Sequence, residues 1–387
     1  MLILGIETSC DETAAAVVRD GVEILSNVVV SQIDIFAEYG GVIPEVAARS
    51  HLEAMLPVID RALLDAGVSW GEIDAIAVTY APGLLGSLLI GTLTARTLAI
   101  LHSKPLFAVH HLKSHVYANW LNNDCTRSRD ALARSSHPAG HPVPDFPLLA
   151  LVVSGGHTQI LYMKGHNQFE IVGTTHDDAV GECFDKVAKI LGLPYPGGPS
   201  IARAAEGEFG ELNGTHSARI PSGNSQRYKL PHPKVEGLDF SFSGLKTAVL
   251  RVVQKEVGVP ISYPSHRLKE LLSAEQVADF AASFQKTAVD ILVEKLGMAI
   301  KKYPEVQSVV VAGGVSANKV LRERIMVECL EWERSYGHAI KCFFPALSLS
   351  GDNGAMVAAA GYYEILAGAK PVDPYSLNIY PRISIEV

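Results

Sequence analysis

The sequence predicts an α/β fold made of two lobes. The chain has 387 residues, of which 48% are hydrophobic and 19% charged. It is therefore longer than one hydrophobic core usually supports and has the composition of an ordinary globular protein. The order strand, strand, strand, helix, strand, helix occurs twice, first from Leu2 and again from Leu148. This repeated order predicts an internal duplication at the level of structure.

The first unit begins with a meander of three strands, predicted over residues 2–7, 13–18 and 22–30. Asp20-Gly21 forms the tight turn between the second and third strands. An amphipathic helix follows over residues 44–66, with apolar residues at helical spacing: Ala47, Leu52, Met55, Leu56, Ile59 and Leu63. A buried strand over 73–79 and a glycine-rich helix entry over 81–86 complete the unit.

The second unit repeats this order after residue 145. Its strands are predicted over residues 148–154, 157–163 and 169–173. Helices are predicted from about Gly181 and Ser200, then a strand over 308–312, then helices near Ala317 and Asp352. We expect a first lobe over 1–118, an inserted or linking loop over the turn-rich residues 119–145, and a second lobe over 146–387, whose last helix is a candidate to pack back on the first lobe.

Duplicated βββαβα units are the layout of two-lobed folds related to actin, Hsp70 and sugar kinases. Ligands of open α/β sheets bind where strand ends meet helix starts. The sequence therefore predicts a nucleotide cleft between the lobes.

Three turns of small residues fall at predicted strand ends. They cover residues 8–13, 154–158 and 313–318. Small residues allow backbone N–H groups to approach phosphate, and a helix N-terminus adds a favourable dipole. A single Gly-Gly turn is more often a tight turn without a ligand, but three at ligand-binding positions of one fold favour a nucleotide site. No Gly-Lys-Ser or Gly-Lys-Thr ends any of them, so none is a P-loop.

A pair of histidines and a distant aspartate are candidate metal ligands. His111 and His115 are four residues apart, which places both rings on one helical face, and Asp352 stands at the predicted start of another helix. The alternative is that the histidines face solvent or cap the helix. Two imidazoles and one carboxylate suit iron or zinc. A zinc-protease motif is excluded because Leu112 occupies the position of the glutamate base.

Three acidic residues are further candidates. Asp11 and Glu12 lie in the first small-residue turn, and Asp185 lies on a predicted helix. The alternative reading makes Asp11 a turn cap and Asp185 an exposed helix charge.

The charge balance argues against a free-standing nucleic-acid binder, because the formal net charge is −8. Two segments are nevertheless locally basic, and their composition also fits solvated surface loops. The first contains Arg127, Arg129 and Arg134, and the second contains His216, Arg219, Arg227, Lys229, His232 and Lys234.

Cysteine usage and the N-terminus predict a cytoplasmic protein. The five cysteines lack CxxC spacing, which fits a reduced compartment better than a disulfide scaffold. The chain contains no apolar run of membrane-spanning length, and its start resembles neither a signal nor a transit peptide.

Several longer motifs, in this order, resemble those of one family. They are Gly5-Ile6-Glu7-Thr8-Ser9-Cys10-Asp11-Glu12-Thr13, Val109-His110-His111, Val153-Ser154-Gly155-Gly156-His157-Thr158, Phe184-Asp185-Lys186, Tyr195-Pro196-Gly197-Gly198-Pro199, Phe240-Ser241-Phe242-Ser243-Gly244-Leu245-Lys246-Thr247, Gly313-Gly314-Val315-Ser316-Ala317-Asn318 and Asp352-Asn353-Gly354. Together they resemble the bacterial and organellar branch of the tRNA N6-adenosine threonylcarbamoyltransferase family, formerly called O-sialoglycoprotein endopeptidases.

The resemblance implies transfer of a threonylcarbamoyl group from threonylcarbamoyl-adenylate to the adenosine next to the anticodon. It implies that His111, His115 and Asp352 hold one divalent metal, Fe²⁺ in first place and zinc in second. It also implies an adenylate site, formed by Val152, Val153, Ser154, Gly155, Gly156, Asp185, Gly198 and Asn318. Asp11 or Glu12 is our hypothesis for the group that removes the amine proton. The implied partners are tRNA, a paralogous subunit that dimerises through the first lobe, and a small P-loop ATPase.

Two departures from the family pattern concern the metal site. Gly351 stands where relatives commonly have a hydroxyl residue before the metal-binding aspartate, and Lys113 stands where bacterial relatives often have an acidic residue. An ATP-dependent phosphotransferase or ATPase of the same fold is the alternative function, and an ATP-binding scaffold is the non-enzymatic one. The histidine pair speaks against both, because magnesium sites of such kinases use oxygen ligands.

Overall fold

The computed structural model describes residues 1–121, 142–208, 221–233, 235–337 and 339–386. Most of the predicted loop 119–145 and the first basic segment lie outside these residues. So do His216, Arg219 and Lys234 of the second basic segment.

The first lobe is built on a five-stranded mixed sheet. Its strands are β1 (Leu2–Glu7), β2 (Glu12–Arg19), β3 (Glu23–Ser31), β4 (Ala75–Ala81) and β5 (Leu106–His110). Their order is β3-β2-β1-β4-β5, with β1 antiparallel to β2 and parallel to β4. Its helices are α1 (Ile33–Tyr39), α2 (Pro44–Ala66), α3 (Leu85–Leu101) and α4 (His111–Tyr117).

The second lobe repeats the same topology. Its strands are β6 (Leu148–Val153), β7 (Thr158–Gly165), β8 (Gln168–Thr174), β9 (Ser308–Ala312) and β10 (Lys341–Phe343). Their order is β10-β9-β6-β7-β8, so β6 occupies the place that β1 has in the first sheet. Its helices are α5 (Val180–Leu191), α6 (Gly197–Ala205), α7 (Ser243–Glu256), α8 (Ala274–Lys302), α9 (Lys319–Tyr336) and α10 (Gly354–Leu366).

This architecture confirms the predicted α/β fold with a duplicated unit. The sequence patterns leave several elements unassigned: α1, α7, α8 and the last strand of each sheet, β5 and β10. The predicted start of α6 at about Ser200 is three residues late, because the Gly197-Gly198 pair forms the first turn of that helix.

Only some of the apolar residues that are predicted to form the buried face of α2 are buried in the structure. Ala47, Met55 and Ile59 are buried as expected, whereas Leu52 and Leu56 are 67% and 58% exposed. One residue corresponds to about 100° around a helix. Leu52 and Leu56 therefore lie off the stripe that packs against the sheet and form an apolar surface instead.

Helix α10 packs on the first sheet, although it follows the second sheet in the chain. Glycines make this approach possible: a Cβ on Gly5 would lie 2.2 Å from the carbonyl oxygen of Gly354, and one on Gly361 would lie 2.6 Å from the Cβ of Ala77. One hydrophobic cluster joins residues of both lobes, including Tyr117, Leu148 and Tyr363. The packing of α10 brings the residues just before it next to α4.

Cys329 and Cys342 form a disulfide that joins α9 to β10, which the cysteine pattern does not predict. Cys10 and Cys183 are free. No helix within the described part of the chain is long and apolar enough to cross a membrane.

Candidate metal and nucleotide site

The three predicted metal ligands meet where α4 faces the segment before α10. The Nε2 atom of His115 lies 3.0 Å from Asp352 Oδ1, and that of His111 lies 3.6 Å from the same oxygen. One ligand atom from each residue falls within 4.8 Å of the others. The two imidazoles come from the first lobe and the carboxylate from the chain that follows the second sheet. His111 and His115 are both buried, so they do not lie on a solvent-exposed face of α4.

Glu7 orients His111 from behind. The Nδ1 atom of His111 lies 3.1 Å from Glu7 Oε2. A carboxylate only accepts hydrogen bonds, so an ionised Glu7 keeps a proton on Nδ1, and Nε2, which faces Asp352, is the nitrogen that would bind a metal. Thr79 Oγ1 and the backbone N–H of Ser9 donate to Glu7 at 2.7 and 2.6 Å. Sequence reasoning missed Glu7, although a carboxylate at the end of an otherwise apolar strand was a signal.

The buried carboxylates and histidines of this site are typical of a cation-binding site. Burial alone would raise the pKa of Asp352, but His111 and His115 hold it at about 2. Burial opposes a charge on His111 as well, yet Asp352 and Glu7 raise its pKa to about 9. Neither ring nitrogen of His115 has a satisfactory hydrogen-bond partner among the described residues, although Nε2 is close to Asp352. Buried polar atoms normally have partners, so these observations fit residues that bind a metal ion.

The acidic turn between β1 and β2 faces this group. Asp11 is buried and Glu12 is partly buried. Burial, followed by the negative charges of Asp352 and Asp11, raises the pKa of Glu12 to about 10. Asp11 and Asp352 are therefore close enough to Glu12 to oppose its ionisation.

Contacts with α2 and α3 hold the acidic turn in place. Thr8 Oγ1 donates to the carbonyl oxygen of Ser87 at 2.8 Å, and Ser87 Oγ donates to that of Cys10 at 3.2 Å. The Nε2 atom of His51, on α2, lies 3.0 Å from the same Cys10 oxygen. The turn is therefore fixed before any substrate arrives.

The second small-residue turn, between β6 and β7, closes on itself. The backbone N–H of Ser154 donates to the His157 carbonyl at 2.9 Å, and that of His157 donates to Ser154 Oγ at 3.1 Å. Burial and the positive charges of His111 and His115 lower the pKa of His157 to about 4. This turn therefore adjoins the metal-ligand group. The side chains of Val152 and Val153 are buried in the core, which leaves only their backbone available to a ligand.

Asp185 lies on α5 and faces the start of α6. Its Oδ1 accepts a hydrogen bond from the backbone N–H of Gly197 at 2.7 Å. Burial raises the pKa of Asp185, and Asp11 of the first lobe adds to this effect. Asp185 is thus neither the exposed helix charge of the alternative reading nor a carboxylate without a protein partner.

Asn318 begins α9, at the end of the third small-residue turn. Its Oδ1 accepts from the backbone N–H of Leu321 at 3.0 Å, and its Nδ2 donates to Gln285 Oε1 at 2.8 Å. Gly313 in this turn has a φ of +88°, and a Cβ there would lie 2.5 Å from the carbonyl oxygen of Val153. This glycine is required by the fold itself, since only glycine adopts that conformation readily.

Other glycines of the site have no such structural reason. A Cβ added to Gly155, Gly156, Gly198 or Gly314 would meet nothing within 4 Å, and none of them has a positive φ. These four are residues of the predicted adenylate site or its turns. Their empty surroundings leave room for a ligand to approach the backbone.

Among the described residues of the second basic segment, Arg227 is paired with two acidic side chains. Arg227 Nη1 lies 3.0 Å from Asp279 Oδ2, and Nη2 lies 3.5 Å from Glu256 Oε1. Lys229 is exposed. Arg227 is therefore engaged within the protein.

Comparison with known proteins identifies relatives of the whole chain. The family model for tRNA N6-adenosine threonylcarbamoyltransferase matches residues 23–359. The protein of that name from Symbiobacterium thermophilum is 46% identical over 387 residues, which cover 100% of this chain and 97% of that protein. The one from Caldicellulosiruptor saccharolyticus is 42% identical over 385 residues, covering 100% and 98%.

Among solved structures, full-length HypF in its phosphate- and nucleotide-bound form resembles this fold with a TM-score of 0.50. The match has 13% sequence identity and covers 95% of this chain and 47% of HypF. This likeness concerns the fold alone.

Proposed function

The chain belongs to the tRNA N6-adenosine threonylcarbamoyltransferase family, and from this premise we propose how its site works. The reaction transfers the threonylcarbamoyl group from threonylcarbamoyl-adenylate to N6 of the adenosine 3′ to the anticodon, position 37, in tRNAs that read codons beginning with A. AMP is released. The observation that carries this proposal is the meeting of His111, His115 and Asp352 between an acidic turn and turns with open glycines.

The adenylate occupies the second-lobe side of the cleft. Gly155 and Gly156 offer backbone N–H groups to the phosphate. The N–H of Ser154 already donates to the His157 carbonyl, so Ser154 contributes its hydroxyl, together with the backbone of Val152 and Val153. Asp185 uses the carboxylate oxygen that does not accept from Gly197 to bind a ribose hydroxyl. Gly198 and Asn318 flank the adenine. The open space at Gly155, Gly156 and Gly198 supports this arrangement.

His111, His115 and Asp352 would hold one divalent metal ion. Two imidazoles and a carboxylate suit Fe²⁺, which we assign in first place, and Zn²⁺ is the alternative. When bound, such an ion supplies positive charge that stabilises the negative charge developing on the departing phosphate or on the attacked carbonyl. Glu7 supports the site by fixing the His111 tautomer.

Asp11 and Glu12 form the proton-accepting pair. The exocyclic amine of adenine is a poor nucleophile because its lone pair is delocalised into the ring, so positioning matters. As N6 attacks the carbamoyl carbon, the bond from that carbon to the AMP phosphate oxygen breaks and N6 loses a proton. Asp11 or Glu12 accepts that proton. The two carboxyl groups lie close together, because Asp11 adds to the burial and to the charge of Asp352 that raise the pKa of Glu12.

The phosphotransferase alternative is less well supported by this site. Kinases of this fold hold magnesium with carboxylates and water, which gives no role to two buried imidazoles that converge on a carboxylate. The family match agrees with this choice.

We propose that the protein acts in the cytoplasm and that partner proteins help it to bind tRNA. The net charge of −8 disfavours unaided binding of a polyanion. The first lobe carries an apolar surface formed by exposed residues of α2 and α3: Leu52, Leu56, Leu64, Leu85, Leu89, Leu93, Ile100 and Leu101. Such a surface is typical of a protein interface and supports docking of a paralogous subunit on this lobe. The small P-loop ATPase is proposed from the family resemblance alone.

The apolar surface can be tested with matched leucines. Leu89→Asp should abolish co-elution with a purified paralogous subunit in size-exclusion chromatography. Leu330→Asp, at a position 59% exposed on α9, should leave it unchanged. Equal binding by both variants would place the interface elsewhere.

The function itself is tested in a reconstituted transfer reaction. Purified protein, with and without candidate partners, is incubated with threonylcarbamoyl-adenylate and unmodified tRNA, and nucleosides are analysed by mass spectrometry. We expect threonylcarbamoyladenosine in this tRNA and none in a tRNA with guanosine at the target position. Hydrolysis of the donor without modified tRNA, in every combination of partners, would contradict the proposal.

A further inference from the structure

Arg322, on the first turn of α9, lies between the third small-residue turn and the segment that leads to Asp352. Its Nε donates to the carbonyl oxygen of Ser316 at 2.6 Å. Its Nη2 donates to the carbonyl oxygen of Pro345 at 2.7 Å and to Ser350 Oγ at 3.2 Å. One side chain therefore binds both the turn assigned to the adenylate and the segment that carries a metal ligand.

The surroundings of Arg322 indicate a positional role. Its guanidinium carbon lies 5.3 Å from the centre of the Phe344 ring. Burial lowers its pKa, and no carboxylate among the described residues contributes to the shift. All three of its hydrogen bonds go to uncharged oxygens, and the planar fork of an arginine fixes their directions. A lysine could not span the same acceptors in this geometry.

The segment that Arg322 contacts has hydrogen bonds within itself up to the metal ligand. Ser350 Oγ donates to the carbonyl oxygen of Ala346 at 3.1 Å. Asn353 Nδ2 donates to the carbonyl oxygens of Leu349 and Gly351 at 3.3 and 2.9 Å. Gly351 has no hydroxyl, and the hydroxyl of this segment stands one residue earlier, at Ser350. There it is buried and accepts from Arg322.

We infer that Arg322 is a positioning residue that couples adenosine binding at the 313–318 turn to metal binding at Asp352. This inference rests on the proposed function, because it takes both sites from there. A displacement of the turn by a ligand moves the Ser316 carbonyl, and the guanidinium transmits that change to Pro345 and Ser350. Coupling of this kind is reciprocal, so each ligand changes the affinity of the other by the same factor.

Adenosine and Co²⁺ are suitable probes. Adenosine has no phosphate, so its coupling to the metal cannot arise from direct attraction between phosphate and cation. Its dissociation constant is measured by calorimetry with and without Co²⁺, and Co²⁺ binding is followed by its visible absorption. In the wild-type protein we expect the adenosine dissociation constants measured with and without Co²⁺ to differ about tenfold, which is within the usual range of coupling.

Arg322→Lys should bring this ratio to one, while adenosine and Co²⁺ each still bind alone. Arg324→Lys is the matched control: it lies on the same helix, is more exposed, and pairs with Glu328 and Asp290 at 3.3 and 3.6 Å. It should keep the wild-type ratio. A wild-type ratio in Arg322→Lys, or a ratio of one in the wild-type protein, would overturn the inference.

A second readout separates this inference from the proposed metal site. Hydrogen exchange at residues 346–352 is measured with and without adenosine and without added metal. Adenosine should slow exchange there in the wild-type protein and in Arg324→Lys, but not in Arg322→Lys. If Co²⁺ fails to bind the wild-type protein, the metal proposal fails, and this exchange result alone decides on Arg322.

Ser350→Ala serves if Arg322→Lys does not fold, because it removes one acceptor and keeps the arginine. It should reduce both the coupling ratio and the adenosine effect on exchange. Wild-type values of both in Ser350→Ala would then contradict the inference.

Discussion

In the first lobe, β5 runs directly into α4, and this junction carries His111 and His115. In the second lobe, β10 is the equivalent strand, and the chain after it reaches Asp352 just before α10. The metal-ligand group thus combines residues that follow the same strand of two duplicated sheets. The two sheets have the same topology, so the chain leaves the equivalent strand of each sheet near this site. The two lobes have different side chains at these equivalent places.

The turns after the first strands, β1 and β6, show the same contrast. The turn of the first lobe holds Asp11 and Glu12 in a buried, negative environment. The turn of the second lobe holds Gly155 and Gly156, with open space around both. The first lobe therefore offers charge and proton acceptors, and the second offers backbone that a ligand can approach. The following predictions test this division.

The largest effect is expected for the first lobe. His115→Ala should abolish both bound metal and tRNA modification, because the remaining two ligands cannot replace a buried imidazole. His166→Ala removes a partly buried histidine that stacks on Tyr363 instead, and it should retain the metal. Metal content by mass spectrometry and Tm by calorimetry check both variants. Wild-type metal content in His115→Ala would contradict the assignment of His115 as a metal ligand.

Glu7→Gln should weaken metal affinity by roughly 10- to 100-fold, the usual effect of removing a carboxylate behind a ligating histidine. An amide no longer forces the proton onto Nδ1 of His111. Glu364→Gln alters another buried carboxyl group, on α10 near Lys113, and serves as the control. Affinities are measured by competition with a chelator. If the two variants bind metal equally well, Glu7 has no role in orienting His111.

The sequence predicts the metal ligands better than it predicts the residues that orient them or the sides of the helices that are buried. His111 and His115 were predictable from their spacing of four residues on one helix, and Asp352 from the family resemblance, and the structure brings the three together. The contact between Glu7 and His111 joins residues 104 positions apart and leaves no local pattern. The exposure of Leu52 and Leu56 depends on which side of α2 meets the sheet, which helical spacing alone does not determine.

Asp185→Asn tests the second lobe, with an expected loss of about tenfold in AMP affinity from one weakened hydrogen bond to an ionised group. Metal content should stay unchanged, and the amide oxygen can still accept from Gly197. Asp279→Asn is the matched control, since Asp279 also lies on a helix and accepts a backbone hydrogen bond, from Asn224 at 2.6 Å. Calorimetry that shows equal AMP affinity in both variants would leave Asp185 with its structural role only.

The smallest change concerns the glycines. Gly156→Ala should leave Tm unchanged, because its Cβ meets nothing within 4 Å, but it should weaken AMP binding. Gly313→Ala should lower Tm, because it combines a positive φ with a close approach to the Val153 carbonyl. If Gly156→Ala binds AMP as the wild-type protein does, the space beside that turn is not used by the ligand.

We propose that the two duplicated units hold one metal ion jointly. Anomalous X-ray diffraction at the metal edge, on crystals grown with Fe²⁺ under anaerobic conditions, tests it most directly. We expect one strong peak per chain within bonding distance of His111, His115 and Asp352, and its loss in Asp352→Asn. A peak bound by first-lobe residues alone, or one that persists in Asp352→Asn, would contradict it.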